Sequence, residues 1–80
     1  MNTITCEALD KTPNKILIFG LVQPVKEYRE IEEANLGAQG FHKQCMAQDQ
    51  YGNMYDIWTD YDACLRISYT VALIKRRKTV

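Results

Sequence analysis

The 80-residue sequence predicts an α+β fold: a small antiparallel sheet, ββαβββ in order, with one helix packed on a face. Three observations carry that prediction. Apolar and polar residues alternate with a period of two in several short runs, the mark of half-buried strands. One stretch, residues 24–36, opens on a proline, is rich in glutamate and repeats apolar residues at roughly helical spacing. Turn-forming clusters, "DKTPN" at 10–14 and "DQYGN" at 49–53, separate the runs.

The elements follow in order. Residues 3–8 place Ile4, Cys6 and Ala8 on one side and Thr3, Thr5 and Glu7 on the other, a short strand. Residues 15–22, "KILIFGLV", are almost continuously apolar and read as a central strand buried on both faces, with Gly20 marking a bulge or a close neighbour. Residues 24–36 read as the helix, with Val25, Tyr28, Ile31 and Leu36 inward and Gly37 as its left-handed stop. An extended strand is the rival reading there. Residues 41–48 and 54–60 form a hairpin about the Gly52-Asn53 pair. Residues 63–75 alternate and are rich in β-branched side chains, which favours a strand over a helix capped by Asp62. Two alternatives stay open: a small, partly open β-barrel, and a ββαββα order with a C-terminal helix.

A chain of this length forms one domain, 1–80, with a small core and a frayed basic tail at about 76–80. Its 46% apolar and 25% charged residues match a globular chain and exclude a disordered one. No apolar run approaches the ~18 residues of a membrane span. Residues 1–14 lack the apolar stretch of a secretory leader. Cys6, Cys45 and Cys64 are odd in number and widely spaced, which argues against a disulfide framework. A cytoplasmic location is therefore expected, with the cysteines serving as small apolar residues.

Catalytic and metal chemistry find little support. His42 and Cys45 are three apart, which on a regular strand sets them on opposite faces, so no local dyad is expected. The cysteines and the lone histidine lack zinc-knuckle spacing, and no glycine-rich phosphate loop is present. The sequence thus points away from an enzyme, a cofactor, a metal or a small-molecule substrate.

Charge carries the functional reading. Residues 27–62 hold eight acids against Arg29 and Lys43, while residues 63–80 hold five bases and no acid. In the second hairpin, Tyr55, Ile57 and Tyr61 are expected to face the helix and core, leaving Met54, Asp56, Trp58 and Asp60 outward with Met46 and Gln48 alongside. An aromatic anchor among carboxylates suits a protein contact. The competing reading has Trp58 closing the second face of the sheet, against the N-terminal hairpin or the loop at 38–40. In size and charge layout the chain looks like the small intracellular inhibitors of phages and mobile elements, nucleic-acid mimics among them, a likeness that covers no alignable motif.

The expected function is a stoichiometric inhibitor or adaptor of a larger, basic, nucleic-acid-handling protein. Trp58 and Met54 would anchor the contact, and Asp56, Asp60, Asp62, Glu30 and Glu33 would steer it. The alternative is a nucleic-acid-binding accessory protein that uses Arg66, Lys75, Arg76, Arg77 and Lys78. A homodimer pairing the acidic middle of one chain with the basic end of another is a third reading.

Overall fold

The computed structural model describes residues 3–60 and the backbone path of 71–75. In chain order the elements are β1 (Thr3–Thr5), β2 (Glu7–Ala8), β3 (Lys15–Ile18), β4 (Leu21–Glu27), α1 (Glu30–Ala38), β5 (His42–Gln48), β6 (Met54–Thr59) and β7 (Val71–Lys75). This is the expected α+β class, one helix among strands in an order close to ββαβββ. The strands lie side by side as β1-β5-β6-β7-β4-β3-β2. β1–β5 and β4–β7 are parallel and the other pairs antiparallel.

One cluster unites the two ends of this order. Ala8, Ile16 and Ile18 from the β2–β3 end pack with Ala47, Tyr55 and Ile57 from the β5–β6 end, and Ile4, Cys6, Val25 and Cys45 lie against them. The sheet therefore wraps around its core, yet it does not close into a barrel. The segment 3–8 changes partner midway: Thr3–Thr5 register with β5, whereas Glu7–Ala8 register with β3. Beyond this switch the Gln50 side chain takes the place of a strand. Its Oε1 accepts from Ala8 N–H at 2.7 Å and its Nε2 donates to Ala8 C=O at 2.8 Å, so both groups are satisfied.

The run at 15–22 is not one central strand. It folds back at Phe19 and Gly20, whose φ values are 55° and 76°. Ile18 registers with Leu21, so these two residues form a two-residue hairpin turn with both φ positive. Gly20 is suited to that geometry, whereas Phe19 is strained in it. The fold-back also limits burial. Ile16 and Ile18 enter the core, but Leu17 is half-buried and Leu21 and Val22 are exposed.

The helix begins later than residue 24. Pro24 lies in β4 opposite Lys15, and β4 runs on to pair Val25, Lys26 and Glu27 with β7. Strand pairing on both sides outweighs the helical pattern, and proline also biases the residue before it towards extended backbone. The rival reading of an extended strand holds for these residues. Helix α1 ends beyond Gly37. The left-handed stop is Gly40, at φ 93°. Phe41 N–H donates to Leu36 C=O at 2.9 Å and Gly40 N–H to Gly37 C=O at 3.1 Å. That hydrogen-bond pair, with Phe41 packed on Leu36, is a Schellman motif. Three glutamates in the first turn complement the helix dipole at the other end.

Residues 71–75 form a strand, as the alternation predicts, and pair with β6 and β4. The rest of the segment expected as strand or helix, 63–70, lies outside the described residues, as does the basic tail at 76–80. No helix among the described residues is long and apolar enough to cross a membrane.

Candidate functional site

The parity expected for the second hairpin holds over residues 54–59, but the exposure does not, and Tyr61, also expected inward, lies outside the described residues. Tyr55, Ile57 and Thr59 alternate into the core. Asp56 and Trp58 point to the opposite face, and α1 packs on that face. Trp58 is half-buried against Leu36, in a small cluster with Tyr28 and Phe41. Its indole N–H is buried and finds no acceptor among the described residues. Asp56 is 0% exposed and its Oδ1 lies 3.5 Å from Lys43 Nζ. The expected solvent-facing patch of Met54, Asp56, Trp58 and Asp60 is therefore corrected: only Asp60 is exposed, and Met54 is half-buried. For Trp58 the physical reason is the placement of the helix. It covers the Trp58 face and not, as expected, the face of Tyr55 and Ile57.

The turn between β5 and β6, expected from the cluster "DQYGN", is organised by its first residue, Asp49, which is not among the expected site residues. Asp49 Oδ1 accepts from the backbone N–H of Tyr51 and of Asn53, both at 2.9 Å. Its Oδ2 accepts from Asn53 Nδ2 at 3.0 Å and from the Tyr55 hydroxyl at 2.6 Å. Burial alone would raise the Asp49 pKa, but these four hydrogen bonds favour the ionised form and bring it below the ordinary carboxylate value. Burial, and then the bond to Asp49, push the Tyr55 hydroxyl well above its ordinary value. An aspartate opening a "DxxGN" loop is the signal that could have revealed this role, because its short side chain caps the N–H groups that follow.

A bulge between Lys43 and Cys45 alters the expected relation of His42 to Cys45. His42 registers with Thr59 and Cys45 with Ile57, so the two share a face, contrary to the strict alternation assumed from sequence. Burial raises the Cys45 thiol, which opposes thiolate formation. Burial, with the Asp49 charge second, pushes Cys6 up to about 11. Neither thiol is activated as a nucleophile. No group of three or more His, Cys, Asp or Glu could hold a metal among the described residues.

The remaining expected contact residues fall in two places. Glu30 and Glu33 lie on α1, Glu30 exposed and Glu33 half-buried. Asp62, Arg66, Arg76, Arg77 and Lys78 lie outside the described residues, and Lys75 is described only by its backbone in β7. The helix also shows a feature absent from the expected site. Leu36, Glu32 and Glu33 turn towards the sheet, so Ile31 points away and is 65% exposed. Ala34 and Ala38, also exposed, continue its line at i+3 and i+7. A helix begun at residue 24 would turn Val25, Tyr28 and Ile31 inward together, whereas α1 begins six residues later and frees Ile31 from that face.

No family model matches the chain, and no curated protein or solved structure matches it.

Proposed function

We propose that this protein is a small interaction module that binds a larger, basic, nucleic-acid-handling protein stoichiometrically, as an inhibitor or adaptor. The contact surface is the outward face of α1. One observation carries the reading: Ile31, an exposed branched apolar side chain, stands beside Glu30 on a helix with no basic residue in its last turn. An apolar anchor can enter a pocket of the partner, and the small Ala34 and Ala38 let that partner approach the helix closely. Glu30 on that face, with the exposed Asp60 and the half-buried Glu33 elsewhere on the surface, supplies negative charge that would steer a basic partner and set its orientation. The anchoring role first expected of Trp58 and Met54 passes to Ile31, because Trp58 is packed against Leu36 of the helix and Met54 is half-buried.

The test is quantitative capture by the immobilised chain. The wild type should retain a basic nucleic-acid-binding protein near one-to-one and release it as salt rises. Ile31→Asp should speed dissociation about tenfold or more, whereas Glu30→Lys should mainly slow association. Equal capture by the wild type and both folded variants would reject the surface. Direct retention of labelled oligonucleotides by the chain itself at low salt would favour the basic C-terminal segment instead.

A further inference from the structure

The outward side of the first hairpin is apolar and, among the described residues, uncovered. Because Ile16 and Ile18 face the core, Lys15 and Leu17 face away from it, together with their cross-strand partners. Glu7, Leu17 and Val22 make one row across β2, β3 and β4. Lys15 and Pro24 make the next, with Leu9 beside them through its N–H bond to Lys15 C=O at 3.3 Å. Val22 is 55% exposed and Leu9 48%, and Pro24, Glu7 and Lys15 are exposed as well. At the hairpin tip Phe19 adds a ring that is 48% exposed. Helix α1 covers the same side of the wrapped sheet, but only over Trp58 and its neighbours. A run of large apolar side chains beside Glu7 and Lys15, with the exposed Lys26 further along β4, is the composition of a contact surface, not of an ordinary solvated sheet face.

We infer that this face is a two-fold interface with a second copy of the chain. The charges select that occupant. A symmetric contact must be self-complementary, since residue i meets j while j meets i. Glu7 and Lys15 provide such a pair: they stand diagonally on adjacent strands, two residues apart in register. With strands ~4.8 Å apart and about 3.4 Å per residue, a two-fold axis lying in the face can exchange Glu7 with Lys15 of the other copy. The same axis passes within about 1.5 Å of the Leu17 and Val22 positions on the strand grid. Both apolar side chains would then pack on their own copies while two ion pairs flank them. This surface is separate from the outward face of α1, so the dimer stands or falls independently of the proposed partner.

Sedimentation equilibrium of the full chain across a concentration series tests the inference. The wild-type mass should rise from 9.3 kDa towards twice that value. Val22→Glu, a change at an exposed position, should hold it at the monomer value. Glu7→Lys and Lys15→Glu should each weaken association about tenfold, and the double exchange should restore it. A wild type that remains at 9.3 kDa up to millimolar concentration overturns the inference. So does a dimer indifferent to Val22→Glu, or a double exchange no better than the single ones.

Discussion

Replacing Asp49 with alanine is expected to be the most damaging polar substitution among the described residues. The carboxylate accepts four hydrogen bonds, two from the backbone and two from side chains, all at 3.0 Å or less. Hydrogen bonds to a charged group each contribute about 1.5–3 kcal/mol, and a buried donor left without an acceptor costs about 1–3 kcal/mol. The Tyr55 hydroxyl would become such a donor, on a residue that is 0% exposed. The backbone N–H groups of Tyr51 and Asn53 sit nearer solvent and can recover water. A net loss of about 3–4 kcal/mol follows, a large part of the roughly 4–12 kcal/mol expected for a chain of this length. Urea denaturation would measure it as a lower midpoint at unchanged slope. Tyr55→Phe removes only one of the bonds and should cost about 1–1.5 kcal/mol. In the double variant the two losses should fall short of additivity by about 1 kcal/mol or more. An Asp49→Ala loss under about 0.5 kcal/mol, the size of an ordinary surface change, would refute the role given to this side chain.

Further expectations follow from the same geometry. Because the folded-state pKa of Asp49 lies below its ordinary 3.8, its stabilisation is complete above about that pH and is lost as pH falls through the lower folded value. Stability curves of wild type and Asp49→Asn measured from pH 7 to pH 2 should therefore converge in acid. Phe19→Asn, at a turn position with φ 55°, should raise stability by about 1 kcal/mol, seen as a Tm increase of roughly 4–8 °C. In a Cys64→Ser background, Cys6 and Cys45 should react slowly with a thiol reagent at pH 8 until the chain unfolds. With a pKa of about 11, only about a thousandth of Cys6 is thiolate there. Leu36→Ala should cost about 2–3 kcal/mol, the cost of a cavity beneath α1.

Much of the fold could be read from side-chain alternation. Residues 3–8, 45–48 and 54–59 keep a period of two because one face of each strand meets the core, whereas the bulge between Lys43 and Cys45 breaks it in the first part of β5. The period does not say what covers the other face, and for that reason it leaves the burial of Trp58 and Asp56 unseen. Alternation sets Trp58 and Asp56 opposite Tyr55 and Ile57, yet only tertiary packing reveals that the helix lies against Trp58 and that Asp56 is buried beside Lys43. The start of α1 was hidden by a competition that local pattern cannot judge. Residues 24–27 carry helical spacing, but the two-residue turn at Phe19-Gly20 commits them to pair with β3 and β7. An NG-type pair would have announced that turn, whereas phenylalanine at a left-handed position conceals it. The part of Asp49 was legible in principle as an aspartate opening a turn, although its bond to Tyr55 was not.

The placement of α1 over the Trp58 face decides which surfaces remain for partners, and the fluorescence of this single tryptophan reports on it directly. Iodide should quench the native protein weakly and the urea-unfolded chain strongly. Leu36→Ala should shift the native quenching towards the unfolded value. Full quenching of the folded wild type would instead put Trp58 in solvent, and would return the contact surface to the second hairpin.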